Sequence, residues 1–178
     1  LKRIKNQPPD ILGLSNYSWN SNLSEHFAKI TKKLNPKCLV LQGGTNFPHE
    51  TDQQKEFLLN RPSTDIYALY EGERSALNVV QRCLDTRKNL DAFFNKPVDG
   101  CVFIDPKTRD NKPVLITGKY LERIKDLDEI PSPYLNGMLD KFFDGKLTPF
   151  LETNRGCPFT CSFCHTGANY YHKLNKFS

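Results

Sequence analysis

The chain has 178 residues, of which 38% are hydrophobic and 25% are charged, and its formal net charge is +5. This ordinary globular composition suffices for one domain and part of another, and no segment approaches the roughly 20 consecutive apolar residues of a membrane span. The basic residues are scattered rather than gathered into a stripe, which argues against nucleic-acid binding. The polar N-terminus lacks the apolar core of a signal peptide. We expect the parent protein to be longer at both ends.

The first hundred residues alternate between predicted strands and predicted helices. Strands are predicted at 11–15, 38–42 and 65–70, and helices at 23–34, 50–60, 77–84 and 90–94. Apolar residues recur at helical spacing on one face of the first helix, at Leu23, Phe27, Ile30 and Leu34, and in the third helix, at Leu77, Val80 and Leu84. In the second helix we expect Phe57 and Leu58 to point inward. This order predicts an α/β domain of the Rossmann-like (flavodoxin-like) kind, with a parallel sheet, flanking helices and right-handed crossovers.

The pattern changes after residue 95. Two apolar runs, 101–105 and 113–117, flank a polar segment and predict a small β-hairpin insertion. The prolines of 126–134 remove backbone donors and favour extended conformations, which predicts an irregular linker. A short helix within 134–144 and a strand at 148–153 follow. We therefore divide the chain into a Rossmann-like domain that lacks its first strand or strands (1–97), a hairpin with a proline-rich linker (98–146), and the start of a further domain (147–178).

The six cysteines fall into two groups. Cys38, Cys83 and Cys101 are isolated within apolar or helical patterns, and we expect them to be buried as small hydrophobic residues. The other three, Cys157, Cys161 and Cys164, lie within eight residues, directly after a predicted strand. A secreted disulfide scaffold is usually shorter and richer in cysteine. The placement instead favours a reducing cytoplasm and a clustered metal site.

Three thiolates on one short loop can bind an iron–sulfur cluster and leave one iron open for chemistry. The alternative is zinc, with His165 or His172 as the fourth ligand, because Cys₃His zinc sites occur. His165 directly follows Cys164, so the two side chains would struggle to reach one tetrahedral centre, whereas His172 is easier to place. Three cysteines without any metal are a third interpretation.

The segment Cys157-Pro-Phe-Thr-Cys161-Ser-Phe-Cys164, preceded by Thr153-Asn-Arg-Gly, resembles the signature of the radical S-adenosylmethionine (SAM) enzymes. The resemblance implies that the three cysteines hold a 4Fe–4S cluster, and that SAM binds the open iron and is cleaved to a 5′-deoxyadenosyl radical. It also implies that Phe163 lies against the adenine, a plain core position being the alternative. In this family the cluster loop follows the first strand of a (β/α) barrel, so the chain would contain only the beginning of a truncated barrel.

Four upstream stretches resemble the cobalamin-binding domain that precedes the barrel in one subclass of this family. They are Pro9-Asp-Ile-Leu-Gly-Leu-Ser15, Leu41-Gln-Gly-Gly44, Tyr70-Glu-Gly-Glu73 and residues 126–133. Ligands of open parallel sheets bind at the carboxyl ends of the strands, and glycines there allow close approach to the backbone. The resemblance implies that Ser15, Gly43 and Gly44 hold the nucleotide tail of cobalamin, with purely structural roles as the alternative. Trp19 could line the corrin, but we expect it to pack on the following helix.

The predicted function is therefore part of a cobalamin-dependent radical SAM enzyme of the Fe–S oxidoreductase type, a methyltransferase or a cyclase. The resemblance also implies a small-molecule substrate and an electron donor such as flavodoxin or ferredoxin, and it assigns no catalytic side chain within this chain. Two alternatives remain: a radical SAM enzyme whose Rossmann-like domain binds no cobalamin, and a non-catalytic module that binds zinc or another ligand. We expect no turnover by this chain alone.

Overall fold

The computed structural model describes residues 2–164 and 174–176, and it divides the chain into two compact units between Leu121 and Glu122. No helix among these residues combines the length and apolar character that crossing a membrane requires.

The first unit is a five-stranded sheet with helices on both faces. Its strands are β1 (Ile11–Ser15), β2 (Leu39–Gly43), β3 (Ile66–Ala68), β4 (Cys101–Ile104) and β5 (Leu115–Thr117). Its helices are α1 (Lys2–Asn6), α2 (Ser21–Leu34), α3 (Thr51–Leu59), α4 (Gly72–Asp85) and α5 (Leu90–Phe93). The strands lie in chain order, and β1, β2 and β3 are parallel. The predicted Rossmann-like α/β class is confirmed.

The predicted hairpin is present, and it extends the main sheet rather than standing beside it. Strand β4 pairs antiparallel with β3, where Tyr67 lies opposite Val102, and β5 pairs antiparallel with β4. All four residues of β4 are buried, as expected for a strand covered on both faces. The hairpin therefore belongs to the same unit as β1–β3, whereas we had placed it after the Rossmann-like domain. The limits at residues 97 and 146 stay predictions.

Alternate residues of the central strands point to two separate hydrophobic layers. On one face, Leu39 and Leu41 of β2 share a buried cluster with Val79 of α4 and Phe93 of α5. On the other face, Val40 packs with Ala28 of α2. Because β2 lies between β1 and β3 and is covered on both faces, its carboxyl end is fixed in place by packing on either side.

Two helices bury faces that consist mostly of small residues. The buried residues are Ser24, Ala28 and Thr31 in α2 and Ser75, Val79 and Cys83 in α4. The leucines that recur at helical spacing are instead exposed: Leu23 by 59%, Leu77 by 64% and Leu84 by 61%. The buried face therefore lies about one residue, or about 100° of rotation, from these leucines. Small residues line the buried face, and the Ser24 hydroxyl donates a 2.7 Å hydrogen bond to the Ser15 carbonyl, which brings α2 close to β1.

The second unit contains little regular structure in its described residues. Short 3₁₀ turns occur at Leu127–Glu129 and Asp140–Phe142, and the two-residue strands β6 (Asn154–Arg155) and β7 (Asn175–Lys176) pair antiparallel. The linker predicted at 126–134 is irregular apart from the turn at Leu127–Glu129. In place of the helix predicted within 134–144, only the turn at Asp140–Phe142 is formed. The strand predicted at 148–153 is not formed, because a lone strand leaves its backbone groups without partners. The described residues therefore do not show a barrel strand there.

Candidate cofactor sites

The three positions proposed for cobalamin lie together at the carboxyl edge of the sheet. Parallel pairing sets Ser15 at the end of β1 opposite Gly43 at the end of β2. The backbone N–H of Asn16 then donates a 2.7 Å hydrogen bond to the Gly43 carbonyl, which extends this pairing by one residue. Ser15 is exposed, and Gly43 and Gly44 are half-buried. Sequence reasoning thus chose residues that the fold makes neighbours.

Gly44 has a structural requirement of its own. Its φ of +129° is a conformation that residues with a side chain rarely adopt, and a Cβ there would lie 2.6 Å from the Asn16 carbonyl oxygen. A Cβ on Gly43 would make only an ordinary 3.4 Å contact with the Ala68 Cβ. Glycine at position 44 is therefore needed for the turn itself, whether or not a ligand approaches it.

Sequence reasoning missed a buried polar network beneath this turn. The Asn16 side chain is 1% exposed, and its Nδ2 donates to the Asn46 carbonyl at 2.7 Å and to the Tyr67 hydroxyl at 3.0 Å. The Tyr67 hydroxyl in turn donates to the Gly44 carbonyl at 3.0 Å. Burial raises the pKa of Tyr67, so the phenol stays protonated and remains a donor. The sequence signal for this network was Tyr67, a tyrosine in an otherwise apolar strand. The hydroxyl of a buried tyrosine usually has a hydrogen-bond partner.

The loop after β1 carries a stacked aromatic pair, of which Tyr17 is half-buried and Trp19 is exposed. The Ser15 hydroxyl accepts a 2.8 Å hydrogen bond from Asn20 Nδ2, while Asn20 Oδ1 accepts from the Tyr17 backbone N–H at 2.8 Å. Tyr17 and Trp19 stack with centroids 4.8 Å apart and planes 2° apart, and Trp19 is 79% exposed. The expectation that Trp19 packs on the following helix was wrong. The loop is tied by polar groups, so the indole is free to lie outside the core.

The end of β3 also differs in detail from the prediction. The chain turns at Tyr70, whose φ of +57° lies in the left-handed region, and Gly72 is already the first residue of α4. A Cβ on Gly72 would meet no atom within 4 Å, so the space above it is open. The carboxyl ends of β1, β2 and β3 therefore all lead into loops at one edge of the sheet, where open α/β sheets bind ligands.

The three clustered cysteines lie on an irregular segment after β6. Cys157 is half-buried, Cys161 and Cys164 are exposed, and the Cys164 backbone N–H donates a 3.1 Å hydrogen bond to the Cys161 carbonyl. Phe163 is 92% exposed, so it does not occupy a core position. Across residues 2–164 and 174–176, no three Cys, His, Asp or Glu side chains are grouped closely enough to hold a metal ion. His165 and His172, the candidate zinc ligands, lie outside the described residues.

The chemistry of the donor set fits an iron–sulfur cluster, because its ligands are thiolates and these three thiols are accessible. The other three cysteines do not fit. Burial raises the pKa of Cys38 to about 11 and that of Cys101 to about 12, and it also raises the pKa of Cys83. The loop thus supplies the right ligand type at accessible positions, although the described residues do not hold the three sulfurs as a preformed group.

Comparison with known proteins finds relatives that match almost the whole chain. The chain is 32% identical over 175 residues to a cobalamin-dependent radical SAM methyltransferase of Streptomyces tokunonensis, a match that covers 95% of this chain and 24% of that protein. It is 31% identical, with the same coverage, to the 2-(S-pantetheinyl)-carbapenam-3-carboxylate methyltransferase of Streptantibioticus cattleyicolor. It is also 30% identical over 168 residues to an anaerobic magnesium-protoporphyrin IX monomethyl ester cyclase of Rubrivivax gelatinosus, covering 92% of this chain and 28% of the cyclase.

The chain is homologous to cobalamin-dependent radical SAM enzymes. The resemblance inferred from the cysteine loop and the strand-end motifs is thereby confirmed. No family model matches the chain. The chain spans about a quarter of the length of these radical SAM and methyltransferase relatives.

Proposed function

We propose that the parent protein is a cobalamin-dependent radical SAM enzyme, to which this chain contributes a cobalamin-binding-like domain and the cluster loop. The observation that carries the proposal is the 32% identity, over 95% of the chain, to the Streptomyces tokunonensis enzyme. Methyl transfer is the proposed reaction class, and ring formation is the second candidate because a cyclase is among the relatives. The proposal includes a small-molecule substrate, an electron donor such as flavodoxin or ferredoxin, and a cytoplasmic location.

In the second unit, Cys157, Cys161 and Cys164 would hold the cluster as thiolates. A cluster bound there would pass one electron from an external donor to SAM, for cleavage into methionine and a 5′-deoxyadenosyl radical. The approach to the loop is braced, since Arg155 donates two hydrogen bonds to Glu152 Oε2, at 2.9 Å from Nε and 2.8 Å from Nη2. The exposed ring of Phe163 would lie against the adenine, as the resemblance implies.

In the first unit, the cobalamin tail would bind at Ser15, Gly43 and Gly44. Three observations support this placement: the residues are adjacent, they lie at the carboxyl edge of a parallel sheet, and the backbone there is accessible. Beside them, the exposed ring of Trp19, which stacks on half-buried Tyr17, is suited to contact with a planar macrocycle. Aromatic faces of this kind bury a large area on contact.

The test uses the full-length parent protein, purified and reconstituted with iron and sulfide without oxygen. We expect broad iron–sulfur absorption, formation of 5′-deoxyadenosine from SAM under a strong reductant, and retention of hydroxocobalamin through gel filtration. Zinc in place of iron, or no cleavage of SAM, would contradict the radical assignment. Cleavage of SAM without retention of cobalamin would instead favour a radical enzyme whose Rossmann-like domain binds no cobalamin.

A further inference from the structure

Asn16 lies directly beneath the strand-end site, although the family resemblance assigns it no role. It is almost fully buried, and it joins three segments of the chain. Its backbone N–H bonds to Gly43, its backbone carbonyl accepts from the Asn46 N–H at 3.2 Å, and its side-chain amide bonds to Asn46 and Tyr67. A buried amide whose partners lie on several segments fixes the relative positions of those segments.

Tyr67 transmits this constraint to the glycine turn. The residue is 1% exposed, and its ring stacks on Phe47 with centroids 3.9 Å apart, so the hydroxyl has little freedom to move. That hydroxyl accepts from Asn16 and donates to the Gly44 carbonyl. The turn is thus held from below by one hydrogen-bond chain, which runs from Asn16 through Tyr67 to Gly44.

The same turn is also held from the side. Gly44 lies so close to the Asn16 backbone that a Cβ could not be accommodated. Movement of Asn16 would therefore shift the turn relative to Ser15, and the surface formed by the ends of β1 and β2 would lose its shape. A preformed surface binds more tightly than one that must be ordered on binding.

We propose that Asn16 is a positioning residue for the cobalamin site: with Tyr67, it holds the Gly43–Gly44 turn against the end of β1. This inference rests on the proposed function of the strand-end site. Neither side chain is assigned a contact with the ligand. Both act by keeping the backbone that the ligand meets in one conformation.

The experiment uses the full-length parent with the substitutions Asn16→Ala and Tyr67→Phe and their combination. For each protein, the Kd for hydroxocobalamin is measured by absorbance titration, together with the Tm without cobalamin, the iron content and the yield of 5′-deoxyadenosine. We expect the Kd to rise about tenfold for Asn16→Ala and about threefold for Tyr67→Phe, the scale of one or two lost buried hydrogen bonds. The double variant should fall short of the product of these factors, because both residues act on the same turn. Iron content should stay at the level of the unsubstituted parent, because the three loop cysteines lie in the other unit.

Val79→Ala is the matched control, since Val79 is fully buried on the opposite face of the sheet. It should lower the Tm and leave the Kd for cobalamin unchanged within about twofold. An unchanged Kd in Asn16→Ala and Tyr67→Phe would overturn the inference, and so would an equal rise in Val79→Ala. Should Asn16→Ala not fold, Tyr67→Phe still decides, because it keeps the stacked ring and removes only the hydroxyl. An unsubstituted parent that cleaves SAM but binds no cobalamin would instead refute the cobalamin assignment, and this inference with it.

Discussion

The two units contain three cysteines each, and the two sets have opposite surroundings. The cysteines of the α/β unit lie in its core: Cys38, Cys83 and Cys101 are 0%, 5% and 0% exposed. Burial raises the pKa of each thiol. The set in the second unit lies on an irregular segment with two of its three members exposed. The same residue type thus packs in the core of one unit and lies on an irregular, largely exposed segment in the other.

The difference lies in what holds each region together. The α/β unit is assembled by its own side chains: a strand buried on both faces, two hydrophobic layers and a buried polar network. The cluster loop has no such support among the described residues, and its sulfurs are not grouped. Because metal binding and local folding are coupled in such sites, we expect the cluster to order its loop, whereas the strand-end site is ordered before any ligand arrives.

The largest expected difference between the two sets comes from replacing one cysteine of each set by alanine in the parent protein. Cys161→Ala should reduce iron content and lower 5′-deoxyadenosine formation by at least about a thousandfold, because a thiolate ligand is lost. Cys38→Ala should retain the cluster and SAM cleavage and only lower the Tm, since Cys38 packs in the core. Comparable cleavage of SAM by Cys161→Ala and the unsubstituted parent would contradict the ligand assignment.

Thiol alkylation measures the same contrast without any substitution. In the cluster-free parent at pH 8, we expect iodoacetamide to modify Cys161 and Cys164 at least about a hundredfold faster than Cys101, which must first be exposed by local opening. Mass spectrometry of peptides gives the individual rates. Equal rates for Cys101 and Cys161 would show that the α/β core is not formed.

The buried thiols also predict a pH dependence of stability. The pKa of Cys101 is raised from 9.0 to about 12, so the protonated thiol favours the folded state below pH 9. That contribution is lost progressively as the pH rises from about 9 towards 12. Chemical unfolding at pH 8 and at pH 10.5 should show a smaller loss of stability in Cys101→Ala than in the unsubstituted parent.

Alanine substitutions at Gly44 and Gly72 compare a glycine that its turn requires with a glycine whose surroundings have room for a side chain. Gly44→Ala introduces a Cβ at a positive φ and 2.6 Å from the Asn16 carbonyl oxygen, and we expect it to cost about 2 kcal/mol or more. Gly72→Ala places a Cβ in open space at the first residue of α4, and its cost should be near zero. Urea unfolding of the two variants provides the comparison, and a Gly44→Ala protein as stable as Gly72→Ala would contradict the described turn.

The α/β unit could be predicted from the sequence because its elements are locally encoded. The predicted strand at 11–15 agrees with β1, and the helix at 50–60 with α3, because turn-forming residues mark their ends. The pairing of the hairpin with β3 could not be predicted, since strand partners are chosen by tertiary contacts. The same limit applies to the buried faces of α2 and α4, where small residues such as Ala28 rather than leucines approach the sheet.

The candidate sites could be predicted only in part. The proximity of Ser15 to Gly43 could be predicted from the parallel strands, because the carboxyl ends of such strands meet at one edge of the sheet. The Asn16–Tyr67 network could not be foreseen, since it joins residues 51 positions apart. The roles of the three loop cysteines and of Phe163 stay predictions. The sequence pattern indicates which side chains could bind a cofactor, but not how they are arranged in space.

The smallest expected effect tests which face of α4 is buried. Val79 is fully buried and Leu77 is 64% exposed, although the two lie on the same helix and lose a similar amount of side chain on replacement by alanine. Val79→Ala should cost about 1–3 kcal/mol because it leaves a cavity, whereas Leu77→Ala should stay within about 0.5 kcal/mol. Urea unfolding of the parent measures both. A larger cost for Leu77→Ala would mean that its side chain is covered in the parent and would contradict the described face.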